Sequence, residues 1–175
     1  MKMRKLLFIL LAVCAMGACS QSGKSQPVTE SPEQSAKAPQ YKDLAMPGMN
    51  GQTVKISDYV GVNRLVLVDF WASWCPPCRA EMPNVVRTYA DFHDQGFEVV
   101  GVSFDSNKEA WVKGVEELMM PWPQMSDLKG WESKGAEVYG IHAIPANVLI
   151  DQQGRIIAKN LRGEELYNTV AEQFK

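Results

Sequence analysis

The chain has 175 residues with a formal net charge of −2, 46% of them hydrophobic and 22% charged, enough for one domain around a single core and too few for two. Lys and Arg together number 18 against 20 Asp and Glu, with no block of like charge, so the basic footprint of a nucleic-acid binder is excluded. A mild acidic excess chiefly favours solubility.

Residues 1–5 are short and positive, and residues 6–18 form an apolar run. Such a run is too short to cross a hydrocarbon layer of roughly 30 Å as a helix, which takes about 20 residues, but it suits the core of a signal peptide. Residues 1–18 are therefore expected to be removed. The stretch Met16-Gly17-Ala18-Cys19 resembles the bacterial lipobox, whose cysteine is lipidated and becomes the new N-terminus. The resemblance implies a lipid on Cys19. Several acyl chains on that residue would anchor firmly where a single chain is marginal. Ordinary secretion is the alternative. Cys14 is a poorer candidate, because it follows the bulky Val13 and would leave too short an apolar core.

Residues 19–40 hold the attachment cysteine and a stretch of Ser, Gln, Pro, Lys and Glu without an aromatic residue. That composition cannot bury enough apolar surface to order itself, and as a flexible tether it would reach about 25 Å. From residue 41 the pattern becomes globular. The dipeptides Pro47-Gly48 and Asn50-Gly51 mark turns and predict a small hairpin through 53–56. Residues 65–71 (LVLVDFW) read as a strand buried on both faces. A helix is predicted over 77–93, with Met82, Val85, Val86, Tyr89 and Phe92 on one side and Gly96 ending it. Residues 97–104 form a second buried strand. Helices are expected over 108–119 and 131–139, a hairpin over 147–151 and 155–159, and a closing helix over 163–174. Strand–helix–strand alternation implies right-handed parallel crossovers, and the late hairpin adds antiparallel strands. The expectation is an α/β domain over 41–175, a mixed central sheet flanked by helices with an N-terminal β-hairpin extension.

Once Cys14 leaves with the signal and Cys19 carries lipid, Cys75 and Cys78 remain. A disulfide closing so short a loop removes little unfolded-state entropy, so its value lies in chemistry rather than stability. Two cysteines separated by two residues, following a buried strand and opening a helix, form a redox motif. Cys75 would sit where the helix begins, beside unsatisfied N–H groups and the positive end of the dipole, and both favour the thiolate that attacks disulfides. Cys75 is thus the expected nucleophile and Cys78, one turn deeper, the resolving thiol. A structural zinc site needs four ligands, and only His93 and His142 are available, neither at suitable spacing. No metal or cofactor is expected.

The run LVDFWASWCPPC closely resembles thioredoxin. The longer WASWCPPCRAEMP, together with a lipobox and a leading hairpin, resembles the ResA/TlpA group of membrane-tethered thioredoxin-like reductases. This implies a thioredoxin-like fold and a cis-proline at Pro145 facing the nucleophile, with the backbone of Ile144 pairing with the incoming peptide. Asn147 departs from the usual Thr or Ser, which leaves substrate contact there open. Asp69 lies within the buried strand, where a charge is costly and its pKa should rise. It matches the buried acid that takes the proton from the resolving thiol; a purely structural hydrogen bond is the alternative. Glu81 matches a second acid of the group, against an ordinary helix-surface residue. Trp74, Pro76 and Pro77 are expected to meet substrate, while Trp71 packs. Pro76 and Pro77 also lack N–H groups, so fewer donors would face the Cys75 sulfur. Arg79, on the same helix face, would act in the opposite sense. A rather reducing couple is expected. Trp111, Trp122 and Trp131 read as core or cover, and His142 as a surface residue.

The reading that follows is a protein-disulfide reductase outside the cytoplasm, periplasm-facing and lipid-anchored, the choice of inner or outer membrane being open. Its partners would be disulfide-bearing protein substrates, apocytochrome c among them, and a membrane thiol protein donating electrons; the donor and the direction are what the resemblance implies. No nucleic-acid partner and a monomeric state are expected. A disulfide oxidase or isomerase running the exchange backwards is the alternative. Less favoured is a copper-handling protein, since soft Cu(I) suits thiolates, although packing explains Met119, Met120 and Met125 more cheaply. The threonine-bearing peroxidatic motif of the related peroxidases is absent.

Overall fold

The computed structural model describes residues 38–175, so the signal segment, Cys19 and most of the linker lie outside the described residues. In chain order the elements are β1 (Ala45–Pro47), β2 (Thr53–Lys55), β3 (Leu65–Trp71), α1 (Pro76–Phe92), β4 (Phe97–Ser103), α2 (Lys108–Glu117), β5 (Gln124–Met125), α3 (Lys134–Tyr139), β6 (Ala146–Asp151), β7 (Ile156–Lys159) and α4 (Gly163–Glu172). The main sheet has the order β5-β4-β3-β6-β7. β3 pairs with β4 in parallel and with β6 antiparallel. β3, β4 and β6, with neighbours on both sides, are buried along their whole length, which is why 65–71 and 97–103 read as mainly apolar runs rather than alternating ones, with Asp69 and Glu98 as the acids within them. The fold is thioredoxin-like, a mixed sheet flanked by helices, as the sequence predicts.

The two faces are covered differently. Phe70 packs against the rings of Phe104 and Tyr139, and a methyl group on Gly135 would press on Val102, so α3 lies on that face. The other face carries α1, α2 and α4. There Phe92 stacks on Phe174 and tilts against Tyr167, Arg79 pairs with Glu117, and Gly114 of α2 approaches the Trp71 ring. Trp71 and Trp111 are fully buried, as expected.

β5 was not legible, because two residues carry no periodicity. It exists through its partners: the buried Gln124 accepts a hydrogen bond from the Trp71 indole at 3.1 Å, and β5 joins β4 at the Gly101–Gln124 register. A Cβ on Gly101 would meet the end of the Gln124 side chain, so glycine there leaves room for the Gln124 amide to reach Trp71. The hairpin β1–β2 is present and docks beside β5, with the Ser126 amide donating to the Pro47 carbonyl at 3.0 Å. Pro39 and Gln40, read as tether from their polar composition, pair along the β6–β7 turn instead: the Ile156 amide donates to the Pro39 carbonyl at 2.8 Å. Backbone groups at a sheet edge recruit partners whatever their side chains.

Three helices are shorter than expected, α4 ending at Glu172 rather than 174. α2 ends at Glu117, and Met119 stands in a left-handed conformation with φ 52°. The segment 131–139 is not one helix. A 3-10 turn covers Gly130–Glu132, and Ser133 breaks it with extended ψ 138° while its hydroxyl accepts from the Gly135 amide, capping α3. No helix among the described residues is long and apolar enough to cross a membrane.

Candidate active site

β3 delivers the chain to the site, and a buried carboxylate fixes the turn that follows. Asp105, just beyond β4, accepts from the Ser73 hydroxyl at 2.6 Å, the Ser73 amide at 3.0 Å and the Ser103 hydroxyl at 2.7 Å. Ser73 precedes the redox motif by two residues, so the motif is pinned to the β4 end. Sequence reasoning missed Asp105, since no local signal links positions 73 and 105.

Cys75 is the N-cap of α1, in extended conformation, and its sulfur accepts from the Cys78 amide at 3.2 Å. Pro76 and Pro77 occupy the first helical positions, where a missing N–H costs nothing. Cys75 and Cys78 form a disulfide with Cα atoms 5.3 Å apart. The residues are 3% and 1% exposed, so burial scarcely distinguishes them. Position does: Cys75 lies outside the helix facing the loops, whereas Cys78 is enclosed in its first turn. Arg79 differs from expectation. Its guanidinium bonds Glu117 at 3.0 Å, because α2 offers a carboxylate beside it, so its hydrogen bonding goes to α2.

The Ile144–Pro145 bond is cis, and the Ile144 carbonyl oxygen lies 3.8 Å from the Cys75 sulfur. In the disulfide the sulfur carries no proton, so this is a contact, and it leaves the backbone of 144, two residues before β6, beside the reactive bond. Arg162 holds this loop: its guanidinium donates to the Pro145 carbonyl and, at 2.7 Å, to the Leu161 carbonyl. Asn147 is buried and its amide both donates to and accepts from the Leu161 backbone at 2.9 Å. It is therefore committed to holding 161 in place rather than to contact with substrate.

Asp69, 4% exposed, faces Gly101 and Asn147 across the sheet. Burial pushes its pKa up to about 7; the Arg162 charge pulls it down and the Glu81 charge pushes it further up. Glu81 is half-buried. One oxygen accepts from the Gly163 amide at 2.7 Å and the other from Asn84 at 3.2 Å, so it caps the start of α4 as well as adding negative charge near Asp69. Thus Cys75, Cys78, Asp69, Glu81, Ile144 and Pro145 are gathered at one end of the sheet. Trp74, Pro76 and Pro77 are exposed there. His142 is exposed. Trp131, read as core or cover, is 49% exposed. Arg162 was not foreseen, because nothing in its own segment points to β3. Among the described residues no group of three or more His, Cys, Asp or Glu is placed to hold a metal.

A disulfide-forming pair at a helix N-terminus, a cis-proline opposite it and a buried acid behind it define a thioredoxin-like thiol–disulfide oxidoreductase. Residues 36–159 match the model of the AhpC/TSA family, and the chain belongs to that family. Within it the chain is of the ResA/TlpA type, an enzyme whose exchange chemistry supports protein-disulfide reduction. It is 29% identical over 182 residues to the thiol-disulfide oxidoreductase ResA of Bacillus thuringiensis subsp. konkukian, covering 100% of this chain and 98% of the relative. Among solved structures, the thioredoxin domain of a thiol-disulfide oxidoreductase from Bacteroides vulgatus is 37% identical with a TM-score of 0.73, covering 79% of this chain and 97% of that one. A thiol:disulfide interchange protein from Bacteroides sp. is 36% identical with a TM-score of 0.69, covering 77% and 88%.

Proposed function

We propose that the enzyme works as a reductase of exported proteins outside the cytoplasm, tethered through a lipid on Cys19 and the linker 19–40, with disulfide-bearing apocytochrome c as a target class. The Cys75 thiolate attacks one sulfur of a substrate disulfide, whose S–S bond breaks and releases a substrate thiolate. A mixed disulfide joins Cys75 to the sulfur it attacked, and the other substrate sulfur is the thiolate released. Cys78 passes its proton to the Asp69 carboxylate, and its thiolate attacks the Cys75 sulfur. The Cys75–Cys78 disulfide forms and the second substrate thiolate leaves. Two electrons pass from enzyme to substrate, and a membrane thiol protein restores the pair. Trp74, Pro76, Pro77 and the Ile144 backbone line the approach, and Glu81 adjusts the charge at Asp69.

The observation that carries the direction is the poverty of donors at the Cys75 sulfur. Among the described residues the Cys78 amide is the one N–H bonded to it, Pro76 and Pro77 have none, and Arg79 is paired with Glu117. A weakly stabilised thiolate makes a reducing couple, whereas a heavily stabilised one makes an oxidant. The test is the reduction potential of the pair. A value near thioredoxin's, about −270 mV, supports the reading, and one near about −120 mV makes the enzyme an oxidase. Location is tested separately by Cys19→Ala, which should abolish metabolic lipid labelling and release the protein from membranes.

A further inference from the structure

The described residues expose Val62, Trp74, Met119 and Trp131 among the large hydrophobic side chains. Of these, Trp74 and Trp131 meet. Their ring centroids are 6.3 Å apart at 57°, yet the residues are 51% and 49% exposed. Trp131 does not lie loosely on the surface. Its ring stands edge-on to Phe104 at 5.5 Å, and Phe104 is fully buried, so one side of the indole is seated on the core.

The loop that presents it is tightly built. The Ser126 hydroxyl donates to the Ser103 carbonyl at 2.9 Å and accepts from the Leu128 amide at 3.1 Å. The Asp127 carboxylate accepts from the amides of Lys129 and Lys134. Leu128 and Gly130 adopt left-handed conformations, φ 57° and 58°; the first is unfavourable for a side chain as large as leucine. A rigid, half-exposed aromatic surface is costly to hydrate and inexpensive to bind against, because its side chains lose little freedom on contact.

We infer that Trp131 and Trp74 form an aromatic ledge that receives a large apolar side chain adjoining the reactive cysteine of a substrate polypeptide. The ledge is continuous with the redox site: Trp74 is bonded in the chain to Cys75, whose sulfur touches the Ile144 carbonyl at 3.8 Å. A polypeptide lying along 144 with its cysteine at Cys75 carries its neighbouring side chains past the indoles. The charges flanking the ledge, Lys129, Glu132 and Lys134, are of both signs, so recognition by net charge is not favoured there. This inference rests on the disulfide-exchange reading and names the substrates that exchange prefers.

The test uses the full chain, reduced, with two short peptide disulfides that differ by Phe or Ser beside the cysteine, and bis(2-hydroxyethyl) disulfide as a reference without side chains. The wild type should favour the Phe peptide about fivefold in kcat/KM, mostly through KM, the size expected of one aromatic contact. Trp131→Ala should erase that preference, and Trp131→Phe should retain most of it. A preference that survives Trp131→Ala, or its absence from the wild type, overturns the ledge. A loss that is equal on both peptides and the reference marks Trp131 as merely structural and overturns it too. A wild type that reduces none of the three sinks the exchange reading itself, and the ledge with it.

Discussion

Glu81, on the helix that carries the redox pair, accepts a hydrogen bond at 2.7 Å from the amide of Gly163, the first residue of the closing helix. One side chain thereby joins α1 to α4 and places its charge near Asp69. Glu81→Gln keeps an acceptor for the amide and removes the charge. Because that charge raises the Asp69 pKa, the variant's mixed-disulfide resolution should reach half its maximum at a lower pH than the wild type's. Its stability should stay within about 1 kcal/mol, whereas Glu81→Ala, which removes the cap, should cost about that much. Stopped-flow resolution from pH 5 to 9 and denaturant titration read the two effects.

Arg162 acts in the opposite sense. Its charge lowers the Asp69 pKa, so Arg162→Gln should move the same half-maximum to higher pH. Arg162→Lys should return it most of the way, since the charge is kept. Neither restores the forked donation to the Pro145 and Leu161 carbonyls, which needs a guanidinium. A fall in overall rate with no movement of the pH midpoint in Arg162→Gln would limit Arg162 to holding the loop.

For Asp69 itself, the folded pKa of about 7 stands above the ordinary 3.8, so the folded state holds the proton more tightly than the unfolded chain. Stability from this group is full below about pH 4, declines as pH rises toward 7 and levels off above it, by up to about 4 kcal/mol. Asp69→Asn should remove that decline. The oxidised variant should melt higher than the wild type at pH 8 and close to it at pH 4. The same change should slow resolution of the mixed disulfide at pH 7 and above, where the carboxylate would otherwise accept the Cys78 proton. An unaltered rate there would falsify the proton-transfer role.

Asp105→Ala should be the most damaging change outside the cysteines. It strands the buried Ser103 hydroxyl and the half-buried Ser73 amide and hydroxyl, at a cost of about 2–4 kcal/mol. The motif would lose the tie that holds 73, so reduction of a small disulfide should slow as well. Urea unfolding and turnover of bis(2-hydroxyethyl) disulfide measure both.

The parts of this protein that could be read from residue order are those whose cause is local. Leu65–Trp71 announces a doubly buried strand because it has no polar face, and Cys75-Pro76-Pro77-Cys78 announces a helix start because proline belongs in a first turn. The acid in that strand is conspicuous because burial penalises its charge. What the residue order does not contain is which distant groups meet. Asp105 and Ser73, Arg162 and Pro145, Gln124 and Trp71, and Asn147 and Leu161 are paired by the folding of the sheet. Trp131 illustrates the difference most sharply. In the sequence it reads as core or cover at the head of a helix over 131–139, but Ser133 interrupts that helix, and the loop leaves half of the indole exposed beside Trp74. The reactive chemistry thus follows from a short run of chain, while the proton inventory and the shape offered to a substrate arise from contacts between segments, because only packing brings charges and rings from separate elements within range of one another.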